Sequence, residues 1–112
     1  MKLIHLSSLE EVGVSHNPEI KKRVILHKGY IPKLMAFSQA TFLPGQSVET
    51  HKHKTMFEVF FIQEGKAIFT VSEKEIILSE GDCITLEPNE LHSQKNPFSE
   101  PVTWLYFCIA TD

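Results

Sequence analysis

Short apolar stretches, broken about every ten residues by turn-forming residues, run the length of this chain. Residues 33–43 form a long apolar stretch stopped by Pro44-Gly45. Residues 59–62 are β-branched and aromatic, as a strand requires. Residues 67–71, 75–78, 83–86 and 102–110 repeat the pattern. Between them stand Glu64-Gly65-Lys66, Ser72-Glu73-Lys74, residues 79–82, Pro88-Asn89, and a loop bracketed by Asn96-Pro97 and Glu100-Pro101. Upstream, residues 2–6 and 22–26 read as short strands, and residues 14–20, with Asn17-Pro18, read as a loop. Ser7 with Glu10 fits a capping box for one helical turn over residues 7–12. No long helical period and no internal repeat occurs. Many short strands with regular turns predict an all-β sandwich or barrel.

Residues 57–62 and 104–109 are apolar on both parities. A strand with one wet face should alternate, so both faces of these strands need cover. One face can fill the interior; the other predicts a homodimer.

The chemistry gathers between Gly45 and Gly65. His51 and His53 are two residues apart, so in a strand they share a face while Lys52 turns away. Glu58 lies five residues beyond His53, the wrong parity for one continuous strand. A loop must intervene, with Glu58 on the next strand. Two imidazoles and a carboxylate aimed at one point make half of a metal site. Downstream, Gly81 opens a stretch that reaches His92 and then Asn96 through Glu87-Pro88-Asn89.

Together these stretches resemble the paired motifs of the cupin family. In its first motif, Gly45, His51, His53, Glu58 and Gly65 fill every place; in its second, Gly81, His92 and Asn96 fit. Five such residues at fixed spacing match by chance with a probability on the order of 10⁻⁵ at average residue usage. Glu87 stands where the family has Pro, and Asn89 where it has Gly; Asn tolerates the left-handed backbone such a turn needs. The resemblance implies a small jelly-roll β-barrel with one metal ion held by His51, His53, Glu58 and His92. Such a set leaves about two open positions on an octahedral ion and suits Fe, Mn, Ni, Co or Zn. The resemblance also suggests that the strand at residues 2–6 is exchanged in the dimer. Relatives by fold include dioxygenases, decarboxylases, isomerases and plain binding proteins. The expectation is a small metal-dependent enzyme of dioxygenase or isomerase type acting on a small organic molecule. The alternative is a non-catalytic metal and small-ligand-binding module.

Bulk properties add limits. A chain of 112 residues fits a single domain over residues 1–112. Its net charge of −3, from 11 basic and 14 acidic residues, offers no basic stripe for nucleic acid. No apolar run is long enough to span a bilayer as a helix, and the N-terminal residues lack a signal-peptide core; a cytoplasmic protein is expected. Cys83 and Cys108 are read as free thiols.

If Glu58 faces the metal, Phe60 and Ile62 share its strand face and line the pocket. Tyr106 is placed beside that pocket, chiefly in a packing role. His5, His16 and His27 fall outside the motifs and are read as solvated, as are Lys52 and Lys54. Asn96 is read as capping a strand or loop. The orientations of Glu49 and Glu90 stay open. The single arginine, Arg23, lies far from either motif. Arginine forks commonly grip phosphates. The ligand expected is therefore a neutral or weakly polar one, such as an aromatic diol or a carbonyl compound, rather than a phosphorylated sugar.

Overall fold

The structure, a computed structural model, describes residues 1–112. Its strands are β1 (Val12–Val14), β2 (Asn17–Leu26), β3 (Leu34–Phe42), β4 (Ser47–His51), β5 (Met56–Glu64), β6 (Lys66–Val71), β7 (Lys74–Ser79), β8 (Cys83–Leu86), β9 (His92–Lys95) and β10 (Val102–Ala110). Six of them form one sheet in the order β1-β2-β3-β10-β5-β8, and four form a second in the order β4-β9-β6-β7. Every pairing is antiparallel. The architecture is all-β, as the spacing of turns predicted, and it is the jelly roll that the resemblance implied.

Alternation along the strands decides what faces inward. On β10, Val102, Trp104 and Cys108 are buried, while Thr103, Leu105 and Phe107 face out half-covered. On β5, Glu58, Phe60 and Ile62 are buried and Phe57 and Phe61 are exposed. The register pairs Trp104 with Ala40 on one side and Ile62 on the other, so one inward row crosses three strands. The smaller sheet answers with Val48, Phe69 and Leu78. Phe69 meets Phe60 at 5.1 Å and Trp104 at 5.3 Å between ring centroids, both near edge-to-face. Aromatic pairs at that geometry add about 0.5–1.5 kcal/mol beyond their buried area. The apolar body of the core thus lies at one end of the barrel and leaves the other end for polar chemistry.

The N-terminal region departs from expectation. Residues 1–5 form no strand; they are followed by a single 3-10 turn over Leu6–Ser8. Its cap is His5, whose Nδ1 accepts from the Ser7 amide at 3.2 Å, in place of a Ser7–Glu10 box. Residues 2–6 pair with no strand, and Met1 and Leu3 are exposed. The segment at residues 14–20 is a hairpin between β1 and β2 rather than a loop. Gly13 makes it possible: a Cβ there would stand 2.6 Å from the Pro18 carbonyl oxygen. Pro18 is tolerated because it lies at the start of β2, where a missing amide costs no ladder bond in the sheet centre.

Of the motif glycines, Gly65 and Gly81 both sit at positive φ, +82° and +91°. They differ in crowding. A Cβ on Gly81 meets nothing within 4 Å, whereas one on Gly65 would overlap the Pro101 carbonyl. Gly81→Ala therefore bears only the left-handed backbone cost of about 1–2 kcal/mol. Gly65→Ala adds an overpacking cost and should lose about 2–5 kcal/mol. Urea titration of both variants checks this; equal midpoints would refute the crowding argument.

Candidate metal centre

Three elements of the two sheets bring the site together. β4 carries Val48 inward, and simple alternation would then turn His51 outward. The register, however, shifts between Val48, which faces Gln94, and His51, which faces His92. Three residues on β4 thus span two on β9. Such a bulge re-aims a side chain, and here it directs His51 into the barrel opposite His92. His53 follows in the connection to β5, where its carbonyl accepts from the Asn89 amide at 2.7 Å. That bond ties the first histidine pair to the turn preceding His92. Asn89 takes φ +69°, the left-handed backbone that its side chain tolerates. Glu58 enters from β5 in the larger sheet and is 7% exposed.

One donor atom from each of His51, His53, Glu58 and His92 lies within 4.8 Å of all the others. Glu58 Oε1 stands 3.1 Å from His53 Nε2 and 3.0 Å from His92 Nε2. These are contact distances without hydrogen-bond angles: Glu58 Oε1 and His92 Nε2 are buried and have no hydrogen-bond partner. Buried polar atoms are almost always satisfied; these two have only their 3.0 Å contact, off the ideal hydrogen-bond angle, and a shared ion would satisfy both. Two ligands at right angles, each about 2.1 Å from an ion, stand about 3.0 Å apart. The donor set fits one divalent ion.

A second layer of contacts orients the ligands. His51 Nδ1 lies 2.7 Å from the Glu49 carbonyl, and His92 Nδ1 lies 2.9 Å from the Glu90 carbonyl. Donation from Nδ1 fixes the tautomer that leaves Nε2 bare for a metal. Cys108 is the register partner of Glu58 on β10 and donates its thiol to Glu58 Oε2 at 3.6 Å. Oε1 is thereby left to face the histidines. Burial and the neighbouring Glu58 charge push the Cys108 thiol up to about 12, so it stays a donor.

The electrostatics favour ligation. Burial lowers the pKa of His51 and of His53, keeping both neutral. Burial acts to raise the Glu58 pKa, but the surrounding histidines outweigh it and hold the carboxyl below its ordinary value. For His92 burial acts downward and is overcome by Glu58 and the Glu90 carbonyl, so its pKa is raised.

Above the four ligands opens a cavity of about 230 Å³, lined mainly by apolar side chains. That is smaller than the roughly 300–1,000 Å³ of sites for drug-sized ligands. Phe60 and Tyr106 line it, with their rings stacked at 5.5 Å. Ile62, expected beside them, is fully buried in the apolar core, and the cavity wall does not include it. One further step along β5 takes it past the aromatic layer formed by Phe60 and Trp104. Asn96 behaves as a loop cap, donating to the Phe42 and Glu100 carbonyls at 3.0 and 2.8 Å and accepting from the Phe98 amide. Glu49 and Glu90 contribute carbonyls to the histidines, and neither side chain lines the cavity.

His5 and His27 are exposed as expected, as are Lys52 and Lys54. His16 is not simply solvated. It stacks on His51 with centroids 4.0 Å apart and lines the cavity mouth. No motif marks it; only the β1–β2 hairpin brings it there. Lys22 also lines the cavity. Its signal was present in the inward parity of Ile20, Lys22 and Val24 on β2.

Comparison with known proteins agrees with this geometry. The Cupin domain family matches residues 38–108. An oxalate-binding protein of Thermotoga maritima is 33% identical over 77 residues, covering 69% of this chain and 64% of the relative. The match thus spans less than two-thirds of that relative's length. A Thermotoga maritima structure described as a predicted oxalate decarboxylase superposes with a TM-score of 0.90 at 24% identity, covering 97% of this chain and 99% of that one. A cupin sugar phosphate isomerase from Silicibacter pomeroyi superposes at 0.82 with 17% identity, covering 98% and 76%. With the profile match extending from the buried Ser38 to Cys108 behind Glu58, the chain belongs to the cupin family.

Proposed function

We propose that this cupin holds one divalent transition-metal ion on His51, His53, Glu58 and His92 and uses it to bind a small organic molecule in the cavity above. The observation that carries the reading is the convergence of four donors with Glu58 Oε1 and His92 Nε2 buried and unpartnered. A bound ion of this kind supplies Lewis acidity and activates bound water, or dioxygen if it is iron. The chain's own residues prepare the place. Glu49 and Glu90 carbonyls hold two imidazoles with Nε2 inward, the Cys108 thiol holds Glu58, and Phe60 with Tyr106 excludes water on one side. His16 stands at the mouth, within reach of an incoming ligand.

A small metal-dependent enzyme of dioxygenase or isomerase type is the reading we favour. The second reading, a metal and ligand-binding module without turnover, is supported by the relative described as oxalate-binding. Elemental analysis followed by oxygen-uptake and isomerase screening separates them. Iron with substrate-stimulated uptake selects the dioxygenase; tight ligand binding without turnover selects the module. Two unpaired thiols suit a reducing compartment, which supports a cytoplasmic setting.

We also infer that a second copy covers the outer face of the larger sheet. Phe57 and Phe61 are 37% and 43% exposed there, beside the half-buried Val59, Leu105 and Phe107. Residues 2–6 pair with no strand of their own chain, which is compatible with their exchange in that dimer.

Three outcomes are expected. His51→Ala should lose the metal while its circular dichroism keeps the β signature; full occupancy in that variant would defeat the ligand assignment. Metal affinity should fall with acidity. The raised pKa of His92 means a proton competes with the ion even above the ordinary imidazole value. Below that pKa, displacing one proton costs about tenfold in affinity per pH unit. Competition titration with a chelator between about pH 5.5 and 8 reads this slope, and a flat profile would contradict histidine ligation. In light scattering at micromolar concentration the protein should be a dimer and Phe61→Glu a monomer; a monomeric wild type would overturn the inferred interface.

A further inference from the structure

The inner wall of the larger sheet carries polar groups that the metal centre does not use. Lys22 on β2 is the register partner of Ala40, an inward and buried residue, so its side chain runs into the barrel. It lines the cavity and takes no part in the four ion pairs of the chain. The Ser38 hydroxyl on β3 is fully buried without a hydrogen-bond partner and also lines the cavity. Ser38 pairs in register with Val24, so Lys22 and Ser38 are diagonal neighbours on one face. Such neighbours stand about 7–8 Å apart at the backbone, within reach of a long side chain. Tyr106 on β10 is the register partner of Ser38 on its other side. Its hydroxyl faces Ser38 closely enough for Ser38 to act on the phenol as a hydrogen-bond neighbour, while the Ser38 hydroxyl has no partner at strict hydrogen-bond geometry.

Lys22 is half-buried, and its charge has no carboxylate partner among the chain's ion pairs. The cavity offers one carboxylate, Glu58, whose Oε1 is turned to the histidines at 3.0 and 3.1 Å and whose Oε2 accepts from the Cys108 thiol. The buried Ser38 hydroxyl, which meets only the Tyr106 hydroxyl and that loosely, lies on the same wall. Both are resolved by one occupant, an oxyanion that accepts from the Lys22 ammonium, the Ser38 hydroxyl and the Tyr106 hydroxyl together. Burial pushes the Tyr106 phenol up to about 12, which keeps it a neutral donor.

We propose that Lys22, Ser38 and Tyr106 form a distal carboxylate subsite, so that the ligand is a small organic diacid chelating the metal at one end and held by these donors at the other. This rests on the metal-centre reading above and specifies its substrate class. It replaces the neutral ligand expected from the sequence, where Arg23 was the cation considered. Arg23 is on the outside of the same strand, paired with Glu11 at 3.2 Å. The alternation of β2 sends Arg23 out and Lys22 in. The aliphatic part of a short diacid fits between the two polar ends, against Phe60 and Ala40. The small volume limits the chain to a few carbons.

The test uses Co(II)-loaded full-length protein and two pairs of probes with the same chelating end. Oxaloacetate is compared with 2-oxobutyrate, and 2-oxoglutarate with 2-oxovalerate, by titration calorimetry. Wild type should bind the diacid at least tenfold tighter in one pair or both. Lys22→Met should reduce that preference to within threefold. Its Co(II) affinity, and its affinity for the monoacid, should stay within threefold of wild type. Ser38→Ala should lose a smaller part of the preference. No diacid preference in wild type, or a full preference in Lys22→Met, overturns the subsite. Repeating the titrations after chelator treatment separates the two readings. A Lys22-dependent diacid preference that persists without metal supports the subsite even where Co(II) uptake fails. Its absence in both forms counts against the subsite alone when Co(II) uptake is normal.

Discussion

Everything at the metal end depends on the grip between the two sheets at the apolar end. His51 and His92 belong to the smaller sheet and Glu58 to the larger one. No backbone hydrogen-bond ladder links these sheets, so side chains must fix their separation. Phe69 does this from the smaller sheet, wedged against Phe60 and Trp104 of the larger. Phe60 is two residues from Glu58 on the same strand face, so the wedge also sets the height of the carboxylate. A shift of the sheets by even 1 Å would spoil a ligand set whose close contacts are 3.0 and 3.1 Å. Close-packed aromatic contacts resist such a shift because interiors have little free volume to give.

Within that frame the site is an exercise in opposed tendencies. Burial discourages charge on every group, yet Glu58 stays ionised because three imidazoles surround it. Burial also keeps His51 and His53 neutral, which is the form a metal requires. His92, closest to the carboxylate, goes the other way and holds a proton more firmly. The same environment thus supplies one anion, two neutral imidazoles and one that would have to exchange a proton for an ion.

The clustering of the four candidate donors and the barrel were legible because both rest on local rules. Strand parity and turn spacing fix which residues share a face, and the motif spacing names the histidines. What escaped was long-range. Ile62 has the parity of a pocket residue, but parity cannot tell how far along the barrel the cavity extends; Phe60 and Trp104 close it first. Residues 2–6 have a strand-like composition, and a strand exists only where an edge accepts it. The β1–β2 hairpin was hidden by Asn17-Pro18, a turn signal that here sits at a strand start. With the hairpin unseen, His16 was read as a solvated surface histidine. The bulge between Val48 and His51 was equally invisible, although the parity of His51 depends on it.

Two of the histidines are steered by main-chain carbonyls, those of Glu49 and Glu90. Every amino acid offers the same carbonyl. The side chains at these two positions are therefore free to drift through evolution without disturbing the imidazoles, provided the backbone path is kept. The number of residues between Val48 and His51 is instead tied to the bulge: with two between them the bulge is needed to bring the imidazole inward, whereas with one between them regular alternation would do it. Across descendants of this chain, selection at this edge of the barrel should act on the match between length and bulge rather than on letters.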